Sequence, residues 1–142
     1  MEDIRSVLSQ FHAKKRKDIG AVDKSSPERI KGPDTSEIPD VFFDVILRKF
    51  KIARQEIALL MLLYRQVWCR PNLYKDHGIG PLNSYADLSH QLGISPDEIV
   101  QLIRSLENYG FIETVRAGQY FVRKFFTEEL DTQFGQSYND FF

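Results

Sequence analysis

The stretch from Ser84 to Gly110 constrains the fold more than any other part of the chain, because it carries two helix signatures joined by one glycine. Ser84 and Ser95 each precede an acidic residue by three positions, which is the spacing of a capping box. Apolar residues recur at helical spacing in both segments: Leu88, Leu92, Ile99, Leu102, Ile103 and Leu106. Because glycine adopts a positive φ without steric cost, Gly93 predicts a tight turn and Gly110 predicts a helix end. The pattern therefore predicts a helix-turn-helix whose second helix covers 95–109.

Two apolar helices are predicted upstream of this motif. Pro39 suits the first turn of a helix that continues to Phe50. The next helix runs from Arg54 to Cys69, and it is apolar enough to be expected at the centre of the core. The glycines and prolines of 71–83 predict a loop.

A β-hairpin is predicted directly after the helix-turn-helix. The segments Phe111–Arg116 and Gln119–Phe126 are rich in strand-forming residues and flank Ala117-Gly118, a sequence suited to a tight turn. The hairpin therefore covers 111–126. The expected fold is mainly α with this small hairpin.

Four regions are predicted along the chain. The folded domain covers 38–134 and ends with a short helical segment from Thr127 to Phe134, followed by a tail at 135–142. Residues 18–37 are mostly polar and contain proline and glycine, so they predict a flexible linker. The first region, 1–17, is an amphipathic and basic N-terminal arm.

The N-terminal arm combines an apolar stripe with a basic run. The stripe consists of Ile4, Val7, Leu8 and Phe11, and the run consists of Lys14, Lys15, Arg16 and Lys17. Because so short a helix is marginal in water, residues 1–12 are expected to dock on their own domain or on a partner, or to stay largely unfolded. The basic run has two interpretations: a DNA-binding arm, or a segment that solubilises the linker.

Composition limits the class of protein. The chain has 142 residues, with 19 Lys and Arg against 20 Asp and Glu, which excludes a uniformly basic coat protein but not a local basic patch. The charge is uneven, because residues 39–83 carry 7 basic and 4 acidic side chains whereas 84–142 carry 4 and 9. The absence of a long apolar run argues against a membrane span, and the single Cys69 makes a reducing cytoplasm the expected location.

The residues that carry enzyme or metal chemistry are not grouped. His12, His77 and His90 lack the spacing of a metal site, and no cysteine cluster joins them. A glycine-rich phosphate loop and a nucleophile elbow are also missing. We therefore expect a protein that is not an enzyme and that has neither a cofactor nor a metal.

The string from Tyr85 to Ile112, followed by the hairpin, resembles the winged helix-turn-helix of regulators and replication initiators. Upstream, Ile38-Pro39, the segments Phe42–Leu47 and Arg54–Leu60, and Val67-Trp68 extend the resemblance to phage and plasmid replication initiators of the lambdoid replication protein O type. The resemblance covers about 38–125. It implies a winged-helix fold, binding of double-stranded DNA, and a role in replication initiation or transcription regulation.

The predicted second helix and the hairpin contain the candidate DNA-binding residues. Helical spacing exposes Gln101, Arg104 and Asn108, which are side chains suited to the major groove. Three cations are assigned to the hairpin: Arg116, Arg123 and Lys124. They are either phosphate-binding residues of a wing or solvated strand ends.

The acidic start of the second helix departs from the pattern of DNA-binding helices. Asp97 and Glu98 stand at the end that normally enters the groove, where carboxylates repel phosphates. Their other interpretation is favourable interaction with the helix dipole. The acidic helix also favours an alternative function, a protein-interaction adaptor on a winged-helix scaffold whose residues 1–12 dock on a partner protein. A dimerisation arm at 1–12 that contacts a second copy is a third possibility.

Overall fold

The computed structural model describes residues 32–140, and the compact unit considered below begins at Ser36. The predicted docking stripe at 1–12 and the basic run Lys14–Lys17 lie outside the described residues, as does most of the predicted linker. The described part is mainly helical with one small antiparallel hairpin, which confirms the predicted fold class at that level. Within residues 32–140, every helix is too short or too polar to span a bilayer.

The first helix, α1, is wound more widely at its start than an ordinary α-helix. It begins as a π-helical turn, Phe42–Ile46, and continues as a short α-helical segment, Leu47–Lys49. Phe42 and Ile46 bury their side chains in the core. The helix ends where the backbone becomes extended at Phe50.

The second helix, α2, lies at the centre of the core, as predicted. It covers Arg54–Tyr64 and continues as a π-helical turn, Arg65–Cys69. Its buried side chains include Leu59, Leu60, Leu63, Tyr64 and Val67.

The two helices predicted on either side of Gly93 are both present. Helix α3 covers Tyr85–Leu92, and helix α4 covers Pro96–Tyr109. The capping box at α3 is complete, because Ser84 and Asp87 each accept the other's backbone N–H at 3.0 Å. At α4, Ser95 accepts the N–H of Glu98, but no reciprocal bond from the Glu98 side chain is found within the described residues.

The hairpin is shorter than predicted. Strand β1, Ile112–Arg116, pairs antiparallel with strand β2, Gln119–Val122. The predicted second strand continued to Phe126, but the chain turns there with a φ of 75°. The Phe126 ring is fully buried and stacks on Tyr64 at 5.1 Å, and this packing stabilises a backbone conformation that side chains rarely adopt.

The predicted loop 71–83 is bridged to β2 at one residue, because Ile79 pairs antiparallel with Phe121. The Val122 N–H donates to the Gly78 carbonyl at 2.8 Å, and the Gly80 N–H donates to the Tyr120 carbonyl at 3.2 Å. Ile79, which lies between these two glycines, is buried. The segment 71–83 is therefore mostly irregular, as predicted, with a short 3-10 turn at Lys75–His77 and one bridge to β2. The bridge was not predicted, because a single residue displays no strand periodicity.

The C-terminal residues pack on the outer face of the hairpin. Helix α5 covers Glu128–Gln133, and the chain then continues through the first part of the predicted tail. Tyr138 contacts Phe121 edge to face with 4.7 Å between ring centroids. The Asn139 N–H donates to the Asp76 carbonyl at 3.1 Å, so residues 135–140 are part of the folded unit.

Candidate nucleic-acid interface

Helix α4 separates an apolar side from a polar side. Ile99, Ile103 and Leu106 are buried, whereas Leu102 is only half-buried. The polar side exposes Asp97, Gln101, Arg104 and Asn108. Three predicted site residues therefore share one exposed face with Asp97, and Arg104 is the only cation in the helix.

The N-terminal end of this face is acidic, and the C-terminal end contacts another part of the fold. Asp97 and Glu98 are exposed at the N-terminal end, where the helix dipole favours negative charge. The C-terminal end is fastened to the junction between α1 and α2, because the Tyr109 hydroxyl donates to the Lys51 carbonyl at 3.0 Å. The same hydroxyl lies 3.3 Å from Oε1 of Glu56, and burial together with this carboxylate raises the pKa of Tyr109.

Arg116 is held at the tip of the hairpin. Its Nε donates to Oε1 of Gln119 at 2.9 Å, while its side chain stays exposed. Gln119 is 1% exposed, and its Nε2 donates to the Gly80 carbonyl at 3.1 Å. A buried amide thus orients an exposed guanidinium beside the turn.

The structure places Arg123 and Lys124 differently from the sequence analysis. Both follow the end of β2, although the Arg123 N–H still donates to the Phe111 carbonyl at 3.1 Å, and neither is a freely solvated strand end. Arg123 donates to Oδ2 of Asp131 at 3.2 Å, so its charge is paired. The Lys124 ammonium lies 5.6 Å from the Trp68 ring centroid, which leaves it half-buried. Their role in DNA binding stays a prediction, but Arg116 is the more accessible cation.

An apolar groove lies between the start of α3 and the hairpin turn. Leu82 and Tyr85 line it together with Ala117 and Gly118, and its volume is about 430 Å³. Leu82 is 61% exposed and Tyr85 is 44% exposed. The groove was not predicted, because Leu82 precedes the helix and Tyr85 falls at helical spacing with the core residue Leu88.

The sequence analysis also missed four exposed cations at the junction of α1 and α2: Arg48, Lys49, Lys51 and Arg54. Both helices were predicted only as core elements, because apolar residues dominate their sequence pattern. The excess of basic residues over 39–83 was the available signal.

The remaining candidate chemistry is sparse in the part of the chain that the structure describes. Among residues 32–140, no three His, Cys, Asp or Glu side chains come together as a metal site. Cys69 is half-buried, and its Sγ lies 3.4 Å from the Glu37 carbonyl. The His77 Nδ1 lies 2.7 Å from the Asn139 carbonyl, where it joins the tail to the preceding turn.

Comparisons with protein-family models, with curated proteins and with solved structures found no match to this chain.

Proposed function

We propose that the chain is a DNA-binding protein of the winged-helix type, acting in replication initiation or in transcription regulation. The observation that supports this proposal is the order of elements around the exposed face of α4. The loop residue Ile79 precedes α3 and α4, and it forms a β-bridge with Phe121 in β2 of the hairpin that follows them. This is the arrangement expected of a winged helix, and the link from fold to function is by analogy.

The exposed face of α4 would read the bases. Arg104 suits bidentate contact with guanine, and Asn108 and Gln101 suit contact with adenine in the major groove. Arg116 at the hairpin tip would contact a phosphate, which positions the protein without reading sequence.

Fluorescence polarisation with a labelled random duplex tests the proposal. We expect the full chain to bind at about 50 mM salt and to lose affinity steeply by about 200 mM, because counterions are released from the phosphates. Arg104→Ala should weaken binding and relax the preference at about one base position. Arg65→Ala is a matched control, because Arg65 is an exposed cation that lines a different surface with Gln91 and Leu92. No duplex binding at the lower salt concentration would remove the proposal.

A protein-interaction adaptor is the second candidate function. It is supported by the carboxylates of Asp97 and Glu98 on α4 and by the exposed apolar groove at Leu82 and Tyr85. In this case residues 1–12 would dock on a partner or on a second copy, as an amphipathic helix does in a groove.

Sedimentation of the full chain tests the self-association form of this candidate. Leu8→Asp with Phe11→Asp should abolish association if the apolar stripe makes the contact, whereas neutralising Lys14–Lys17 should not. The opposite result would assign the contact to charge and would favour nucleic-acid binding.

A further inference from the structure

Four cations project from the junction between α1 and α2. Arg48, Lys49, Lys51 and Arg54 are all exposed, and we call them the junction cations. They fall within seven consecutive positions of the chain. This makes the junction the densest group of positive charge in the part of the chain that the structure describes.

Acidic side chains do little to neutralise this group. On α1 the exposed Asp44 stands four positions before Arg48, but it forms no ion pair within residues 32–140. Between Leu47 and Lys75 the only acidic residue is Glu56, which is 8% exposed. Its Oε1 already accepts the Ala53 N–H at 2.7 Å and lies 3.3 Å from the Tyr109 hydroxyl.

Only one of the junction cations is paired within the described residues. Lys49 lies 3.8 Å from Glu129, and both side chains are largely exposed, so the pair contributes little. Arg48, Lys51 and Arg54 form no ion pair within residues 32–140.

The junction cations are positioned against the C-terminal end of α4. Phe50 packs its ring edge-on against Tyr109 and Phe111, with centroids 5.8 Å and 5.1 Å away. The Tyr109 hydroxyl donates to the Lys51 carbonyl at 3.0 Å. Asn108, on the exposed face of α4, directly precedes Tyr109, so it lies at the same end of the helix as the cations.

Two of the three acidic residues of α4, Asp97 and Glu98, lie at its other end. The third, Glu107, is half-buried near the C-terminal end, where its Oε2 accepts the Thr114 N–H at 3.3 Å. From Asp97 to Asn108 the helix rises about 16 Å, at 1.5 Å per residue. This exceeds the Debye length of roughly 8 Å at physiological salt. A polyanion at the C-terminal end of α4 is therefore attracted by the junction cations and is largely screened from Asp97 and Glu98.

We propose that the junction cations bind the phosphate backbone of a DNA duplex that lies against the C-terminal half of α4, where Arg104 and Asn108 meet the bases. This inference rests on the proposed DNA-binding function and adds the orientation of the duplex. It reverses the usual docking, in which the N-terminal end of the second helix enters the groove. It also removes the conflict between an acidic helix start and a DNA ligand.

The test compares two sets of charge changes in the full chain, with the same labelled 20-base-pair duplex as the probe. The first set is Arg48→Gln, Lys51→Gln and Arg54→Gln combined. Because each phosphate contact contributes about 0.9 to the salt slope, we expect the slope to fall by about 2–3 units and the affinity to fall at least tenfold. Arg65→Gln is the control, and it should change neither quantity.

The second set is Asp97→Asn with Glu98→Gln, which removes the charge at the other end of α4. We expect affinity to change by less than about twofold, because these carboxylates lie beyond the screening length from the duplex. A rise of more than about fivefold would place the phosphates at the N-terminal end and would overturn the proposed orientation.

Folding is checked separately from binding. The three junction changes should keep the far-UV circular dichroism spectrum and the thermal midpoint, because these side chains are exposed. Arg54 is also the first residue of α2, where the helix dipole disfavours a cation, so its neutralisation should not weaken the helix.

The outcomes distinguish failure of this inference from failure of the proposed DNA-binding function. Duplex binding by the unchanged chain with an unaltered salt slope in the triple variant would overturn the inference and leave the proposed function standing. No duplex binding by the unchanged chain would overturn both. Equal displacement of the duplex by poly-glutamate at matched charge would assign the cations to an acidic protein instead of to nucleic acid.

Discussion

Arg123 and Asp131 form an ion pair in which the carboxylate is almost completely buried. Nη1 of Arg123 lies 3.2 Å from Oδ2 of Asp131, and Asp131 is 3% exposed. The same carboxylate accepts the Phe125 N–H at 3.0 Å and the Tyr138 hydroxyl at 2.6 Å. One side chain therefore ties together the chain that leaves the hairpin, helix α5 and the C-terminal residues.

Replacement of Asp131 by alanine should be strongly destabilising. The change leaves the Arg123 charge, the Phe125 N–H and the Tyr138 hydroxyl without their acceptor, and loss of one partner from a buried pair typically costs about 3–5 kcal/mol. Tyr138→Phe removes two hydrogen bonds, the one donated to Asp131 and the one accepted from the Lys124 N–H at 2.9 Å, so we expect about 1–3 kcal/mol for it. Urea unfolding of the two variants and the unchanged chain measures both values. Equal costs for the two changes would show that Asp131 does not organise the group.

Leu106→Ala should destabilise the domain by about 2–5 kcal/mol, because it opens a cavity in a tightly packed core. Leu106 is fully buried in α4. Leu102 is half-buried on the same helix, so Leu102→Ala serves as a matched control and should cost less. Chemical denaturation supplies both free energies of unfolding. A Leu106→Ala cost below that of Leu102→Ala would contradict the observed packing.

The helices of the helix-turn-helix could be predicted because their signals are local. Ser84 and Asp87 cap α3 through bonds that span three residues, and Gly93 adopts the positive φ that its position requires. Helix α2 could also be predicted, because its apolar residues recur at helical spacing over several turns. Leu102 belongs to the predicted apolar stripe of α4 but is only half-buried, because it lies at the edge of the stripe.

The features that could not be predicted depend on contacts between distant parts of the chain. The pairing of Gly78 and Gly80 with β2 spans about forty positions, and no local pattern specifies it. The Arg123–Asp131 pair joins residues only eight positions apart, but it depends on the turn at Phe126, which the packing of Phe126 on Tyr64 stabilises. This pair removed a candidate phosphate-binding cation from the exposed surface. Charge was visible in the sequence, but its distribution over the surface requires the fold.

Gly78→Ala should disrupt the loop at 78–80 that is bridged to β2. Gly78 has a φ of 71°, and a Cβ there would lie 2.7 Å from the Phe121 ring and 3.0 Å from the Tyr138 ring. Strain from the positive φ and overpacking against two rings should together cost roughly 2–5 kcal/mol. Gly93→Ala is the matched control, because Gly93 has a φ of 69° with nothing within 4 Å of the added Cβ. It should cost only about 1–2 kcal/mol, which is the cost of placing a side chain on a residue with a positive φ. Thermal unfolding ranks the two variants. Equal losses of stability would show that the Phe121 and Tyr138 rings move away from the added Cβ at no energetic cost.

The stability of the domain should fall as the pH rises above about 10, because several tyrosine hydroxyls are buried. Burial raises the pKa of Tyr120 to about 12, with smaller contributions from Tyr85 and Glu107. Burial and the hydrogen bond to Asp131 also raise the pKa of Tyr138. Above the ordinary tyrosine pKa of about 10 the unfolded chain loses these protons while the folded chain keeps them, so unfolding becomes more favourable. Denaturant midpoints measured from pH 8 to pH 12 would follow this decline.

Tyr120→Phe isolates one part of that pH dependence. The Tyr120 hydroxyl is buried and has no hydrogen-bond partner among the described residues. Removal of an unpaired buried hydroxyl should leave the stability near pH 7 unchanged or raise it by up to about 2 kcal/mol. The same change should make the decline above pH 10 shallower, because one raised pKa is gone. A loss of stability at pH 7 would instead show that the hydroxyl is paired in solution, and an unaltered alkaline slope would show that Tyr120 does not titrate with unfolding.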